Sequence, residues 1–143
     1  MANVVAVDID LRSCHYWGDG DERGTGVLPG TVYREICQLE PALVLLECAS
    51  PHLYAGVVHE KTLSWMIYNS AVVQYLACEL PMDVLVSPSS RWTKQYGDKE
   101  RWKLAGIPER YANKHIRDCR AMVWFYRHDP EAWMPWWDYL GTI

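Results

Sequence analysis

Apolar residues along the chain gather in short unbroken runs, set between polar turns and longer stretches of helical spacing. The first run, Val4-Val5-Ala6-Val7, is β-branched and closes on Asp8-Ile9-Asp10. That is the pattern of a strand buried on both faces with carboxylates at its end. Leu11 to Trp17 reads as a second strand, with Gly18-Asp19-Gly20-Asp21 as its turn and Gly24 to Gly30 as loop or short edge strand. A helix from Pro29 or Thr31 to Leu39 follows, with Thr31, Arg34 and Glu35 as an imperfect capping pattern and Pro41 as its end. Ala42-Leu43-Val44-Leu45-Leu46-Glu47 then repeats the first design, an apolar run closed by a carboxylate. Residues 59–78 form the longest predicted helix. It is apolar nearly all round its middle, so it is buried either inside the domain or between two subunits. Asp83-Val84-Leu85-Val86 is a third buried-type strand, stopped by Ser87-Pro88-Ser89-Ser90. The last helix, Tyr111 to Arg127, carries Ala112, Ile116, Cys119, Val123 and Tyr126 on one stripe and His115, Asp118 and Met122 on the next.

Composition narrows the class. With 143 residues, 50% hydrophobic and 22% charged, the chain predicts a single globular α/β domain over residues 1–143. Five scattered cysteines without a C-x-x-C pair fit a reducing interior better than a disulfide framework or zinc finger. The start of the chain lacks a charged-then-apolar leader. Asn69, Ser70 and Gln74 interrupt the best run before it reaches the ~18 apolar residues of a membrane span. The expected compartment is therefore the cytoplasm, with no membrane partner. Eight Trp and nine Tyr against one Phe supply aromatic surface with polar handles, suited to an interface or to base stacking. The net charge of −4 neither advertises nor excludes nucleic acid, because local charge decides phosphate contact.

Candidate chemistry lies at the strand ends. Asp8 and Glu47 close strands of one design, separated by a helix, so their ends are expected to share a site; a solvated turn is the plainer reading of Asp8 alone. His115 and Asp118 are three apart and lie one turn from each other on one helix face, as a ligand pair or a hydrogen-bonded structural pair. Three carboxylates and an imidazole converge at a cost unless a cation neutralises them. Oxygen ligands suit Mg²⁺, and one His admits Mn²⁺. Two such ions about 3.5–4 Å apart can activate water and stabilise the leaving oxygen of a phosphodiester. Arg91, Lys94, Lys99, Arg101 and Lys103, interleaved with Trp92, Tyr96 and Trp102, suit phosphate contact plus stacking, or an ordinary solvated helix with snorkelling stems. Asp19-Gly20-Asp21 lacks the later Gly and closing Glu of a calcium loop.

With Val4–Asp8 at its start, Leu43–Glu47, the His115-x-x-Asp118-Cys-Arg-Ala ending and Val86-x-Pro88-x-x-x-Trp92-x-Lys94-x-x-Gly97-x-Lys99 before it, the chain resembles the RuvC-type Holliday-junction resolvases of the ribonuclease-H-like superfamily. The resemblance covers nearly the whole chain. It implies a ribonuclease-H-like mixed β-sheet flanked by helices, and a metal-dependent endonuclease that resolves four-way junctions or other branched DNA. It further implies Asp8, Glu47, His115 and Asp118 as metal ligands, Lys99 near the scissile phosphate, and His52 or Tyr54 in a loop touching unpaired bases. Ile9-Asp10 stands where the family usually has Pro-Gly, which leaves the role of Asp10 open. The short, acidic chain would fit a compact phage or mobile-element form, acting in a bacterial or phage-infected cell. The alternatives are a nuclease of the same superfamily cutting RNA–DNA hybrids or flaps, and a non-catalytic binding module of the same fold. Two nicks related by a twofold axis call for a homodimer. Its expected interface is the helix 59–78, with Trp65, Tyr68, Val72, Tyr75 and Leu76 facing the partner. The Trp-rich tail from Asp129 packs across the domain or across that partner.

Overall fold

The computed structural model describes residues 2–49, 60–88 and 98–141. Its strands are β1 (Val4–Asp10), β2 (Ser13–Gly18), β3 (Arg23–Val27), β4 (Leu43–Cys48), β5 (Asp83–Pro88) and β6 (Met134–Pro135). Its helices are α1 (Pro29–Leu39), α2 (Glu60–Glu79), α3 (Asp98–Leu104), α4 (Lys114–His128) and α5 (Trp136–Gly141). The strands form one sheet in the order β3-β2-β1-β4-β5-β6. β1, β4 and β5 run parallel, whereas β2, β3 and β6 add antiparallel at the two sides. This is the mixed sheet flanked by helices that the resemblance implies.

Alternation along the central strands divides the core. Val5, Val7, Ile9, Val44, Leu46 and Val86 pack one face against residues of α1, α2 and α5, including Ile36, Leu76 and Trp136. Ala6 and Leu45 face the opposite way, toward Trp102, Ile116, Cys119 and Met122 of α3 and α4. Because side chains alternate, Asp8 and Glu47 fall on the α4 side, as Ala6 and Leu45 do. The Trp-rich tail packs on its own domain, with Trp133 and Trp136 buried in the two core halves and Trp137 exposed.

Several boundaries differ from expectation for local reasons. β2 starts at Ser13 because Leu11 and Arg12 form the hairpin turn, with Arg12 at φ 71 and the Leu11 N–H held by Asp10 Oδ1 at 2.8 Å. No Gly or Asn marks that turn in the sequence. The stretch after it is a true edge strand, β3, where a Cβ on Gly24 would sit 2.4 Å from the Tyr16 ring. Thr31 does not cap α1, which starts behind Leu28 and ends at Glu40 in the left-handed region before Pro41 is reached. α4 starts at Lys114 because the Asn113 side chain accepts the Ile116 N–H at 2.9 Å, which leaves Ala112 exposed outside the apolar stripe.

α2 corrects the expected division of faces. Val72, Val73 and Leu76 are buried in this chain's core, Trp65 and Tyr68 are half-buried, and Leu63, Ile67, Ala71 and Tyr75 form an exposed row at helical spacing. No helix among the described residues is long and apolar enough to cross a membrane.

Asn69 is 1% exposed in the middle of α2. Its Nδ2 donates to the Glu47 carbonyl at 2.9 Å and its Oδ1 accepts the Ala49 N–H at 2.8 Å. It thereby fixes the backbone on both sides of Cys48, at the end of β4. Asn69→Leu should lower stability by about 1–3 kcal/mol, read from urea midpoints; an unchanged midpoint would remove that clamp.

Candidate active site

The site begins with strand register. β1 and β4 pair through Val7↔Leu46, and Asp8 and Glu47 are each one residue further along, side by side on the α4 face. On the other side of β1, the antiparallel register sets Asp8 opposite His15 of β2. Asp10 follows Asp8 by two residues and so shares its face.

α4 supplies the facing groups. His115 Nδ1 lies 2.8 Å from Asp8 Oδ2 and its Nε2 lies 3.4 Å from Asp10 Oδ2. The bond to Asp8, helped by the charges of Asp8, Asp10 and Asp118, raises the His115 pKa against the opposing effect of burial. One turn on, Cys119 is wholly buried. Burial pushes its thiol well above the ordinary range, and the charges of Asp8, Asp118 and Glu47 push the same way. Cys119 stays a thiol, donating weakly to the His15 carbonyl at 3.5 Å.

Asp118 is braced from α3. Trp102 Nε1 donates to its Oδ1 at 2.9 Å, and the Arg101 guanidinium lies 3.6 Å from the same oxygen. Arg117 in turn stacks its guanidinium over the Trp102 ring at 4.4 Å. Arg101 is only 5% exposed. Its expected place in an exposed basic surface is corrected to a buried partner of Asp118. Lys99 and Lys103 remain exposed on α3. They line a cleft of about 390 Å³ with Trp102, Ile107 and Glu109. His52, Tyr54, Arg91 and Lys94 lie outside the described residues.

Of the four expected ligands, Asp8 and His115 touch, Glu47 stands beside Asp8 by strand register, and Asp118 lies one turn along α4 from His115. Two further residues belong to this place. Asp10 reaches His115 directly. His15 is 5% exposed and stacks on the His115 ring, centroids 4.0 Å apart and planes 5° apart. Burial lowers the His15 pKa, the charge of His115 adds to that, and Asp8 and Asp10 oppose it. Ligand atoms of Asp10, His15 and His115 lie within 4.8 Å of one another. The ring planes are parallel, however, so the two imidazoles cannot aim lone pairs at one ion without tilting. The signal for Asp10 was its i, i+2 relation to Asp8. His15 had none until the hairpin register was known.

No family model matches the chain, and no curated protein matches it. Among solved structures it is similar to Thermus thermophilus RuvC in complex with a Holliday junction substrate, with a TM-score of 0.61 at 10% identity over 90% of this chain and 94% of that one. A second Thermus thermophilus RuvC structure gives a TM-score of 0.59 at 13% identity over 92% of this chain and 98% of that one. The chain has the ribonuclease-H-like fold of those proteins.

The raised His115 pKa carries a sign. A folded value above the unfolded one contributes stability that is present below the unfolded pKa, about 6.5, and lost as pH rises through the folded value. Metal-free wild type should therefore melt above Asp8→Asn in mildly acidic buffer, with the margin shrinking toward alkaline pH. Paired thermal melts in EDTA across that range check it, and a margin independent of pH would contradict the pair.

Proposed function

We propose that the chain is a divalent-metal-dependent endodeoxyribonuclease that cuts four-way junctions or other branched DNA. The observation that carries this reading is the Asp8–His115 contact at 2.8 Å, with Glu47 beside Asp8 by strand register and Asp118 one helical turn from His115, in a fold shared over 90% of the chain with a RuvC bound to a Holliday junction.

The donor set fits a hard divalent cation. With its Nδ1 proton given to Asp8, His115 turns the Nε2 lone pair toward the Asp10 carboxylate 3.4 Å away. Two electron-rich groups at that distance favour a positive charge between or beside them. Asp8, Glu47, His115 and Asp118 would hold Mg²⁺, or Mn²⁺ in its place. Such an ion would make a bound water more acidic and offset charge on a phosphodiester.

The protein's own groups do the positioning. Asp8 fixes the tautomer and direction of His115 by accepting its Nδ1 proton, as carboxylates beside ligating imidazoles do. Trp102 and Arg101 fix one Asp118 oxygen from behind. Asn69 fixes the end of β4 that carries Glu47. Lys99 and Lys103, exposed on α3 beyond Trp102, are suited to phosphate oxygens; in the same reading Arg91, Lys94, His52 and Tyr54 extend the DNA contact. The site of action would be the cytoplasm of a bacterial or phage-infected cell.

Two symmetric nicks need two copies of the site, and the working unit in this reading is a twofold homodimer. Support comes from α2, where Ile67 is 64% and Leu63 47% exposed on one row with Tyr75. An apolar row of that kind is suited to a second copy of itself.

The central test is incubation with a four-way junction, a flap, an RNA–DNA hybrid and matched duplex, each in Mg²⁺, Mn²⁺ or EDTA. Paired nicks in the junction are expected, abolished by EDTA and by Asp8→Asn, Glu47→Gln or Asp118→Asn, with His115→Asp retaining more Mg²⁺ activity than His115→Ala. Preference for the hybrid or flap would move the specificity to another nuclease of this fold, and binding without cutting would leave a non-catalytic module. For the dimer, Ile67→Glu should convert a sedimenting dimer to a folded monomer; a wild-type monomer both free and on DNA would refute it.

A further inference from the structure

We propose that His15 is a positioning residue that holds the His115 ring against Asp8, and that Thr25 anchors it to the start of the helix carrying His115. The inference rests on His115 acting as the functional imidazole of the proposed nuclease.

His115 needs such a device. It sits in the first turn of α4 with its side chain 32% exposed. The terminal torsion of an imidazole is broad and nearly twofold, so a half-turn would put Cδ2 where Nδ1 meets Asp8 and Cε1 where Nε2 faces Asp10, and nothing would then fix the tautomer. The His15 ring, parallel to it at 4.0 Å, is a plate along which that rotation has no room.

The plate is itself held from β3. Thr25 Oγ1 lies 2.7 Å from His15 Nδ1, and the Gly26 N–H donates to the same nitrogen at 3.1 Å. Nδ1 is thus an acceptor, and the proton of the neutral ring sits on Nε2, toward Ser13 Oγ at 3.4 Å. Gly26 adopts φ +64 with nothing within 4 Å of where a Cβ would stand. Glycine is there for the backbone conformation that aims its N–H, not for space.

Thr25 closes a loop of hydrogen bonds. Its Oγ1 accepts from Asn113 Nδ2 at 2.8 Å while its hydroxyl proton goes to His15. Asn113 is the residue whose Oδ1 caps α4 through the Ile116 N–H at 2.9 Å. One threonine therefore locks both the plate beside His115 and the helix start that carries it. Groups of this kind, behind a ligand, are typically worth ten- to a hundredfold in metal affinity or activity.

The test uses full-length protein with ¹⁵N-labelled imidazoles, metal-free and above the titration of His115. Long-range ¹⁵N–¹H spectra of wild type should show His115 as one tautomer, protonated on Nδ1. His15→Ala should give a mixture or exchange-broadened signals and, where wild type cuts junctions, a loss of at least about tenfold in kcat with KM little changed. His15→Phe restores a ring and should recover the single tautomer. Thr25→Val, a change on the exposed edge strand, keeps the ring without its anchor and should give a smaller mixed fraction even if His15→Ala does not fold. An unchanged His115 pattern in folded His15→Ala or in Thr25→Val, or His15→Phe no better than His15→Ala, would overturn the proposal. Absence of cleavage by wild type would defeat the nuclease reading alone, because the spectra decide the positioning role independently.

Discussion

Two parallel strands about 4.8 Å apart end in carboxylates on the same face, and much of the structure answers that constraint. Asp8 and Glu47 stand one step past the last β1–β4 pair, with Asp10 two residues on. Left bare in a partly dry site they would repel one another and favour the unfolded chain. His115 meets Asp8 and Asp10, Arg101 and Trp102 meet Asp118, and the thiol of Cys119 lies uncharged among them. The compensation is directional. The contacts to Asp8, Asp10 and Asp118 named here come from α3 and α4, on one side of the sheet, while the other side is mainly apolar.

The carboxylate ends of β1 and β4 were legible because each is an apolar, branched run closed by an acid, and His115 with Asp118 because helical spacing puts them on one face. His15 was not legible, since its place opposite Asp8 depends on a two-residue turn, Leu11–Arg12, that carries no glycine or asparagine. A turn one residue longer would have faced His15 the other way. Arg101 read as surface for a related reason. It belongs to the same run of basic residues as Lys99 and Lys103, but two positions from each it lies on the opposite face of α3, the face that packs on α4.

Asn69 teaches the same lesson from the opposite side. In the sequence it is a polar interruption in an apolar helix. In the fold it is a clamp, making two hydrogen bonds to β4 from within the core. Trp65 does likewise for β1, donating to the Ile9 carbonyl at 2.9 Å. The tryptophan-rich composition thus finds part of its use in bracing strand ends through the indole N–H, work that Phe could not do.

The two outer strands carry a separate meaning. β6 is two residues long and contains Pro135, which has no N–H to offer, and β3 is interrupted by a register shift opposite β2 and by two glycines. Neither outer strand presents a long, regular row of free amides and carbonyls, the template on which a foreign strand would add. Unwanted growth of the sheet from chain to chain, the route toward fibrous aggregates, is thereby discouraged at both rims. A protein stored at high concentration would keep its sheets closed to one another at these two edges.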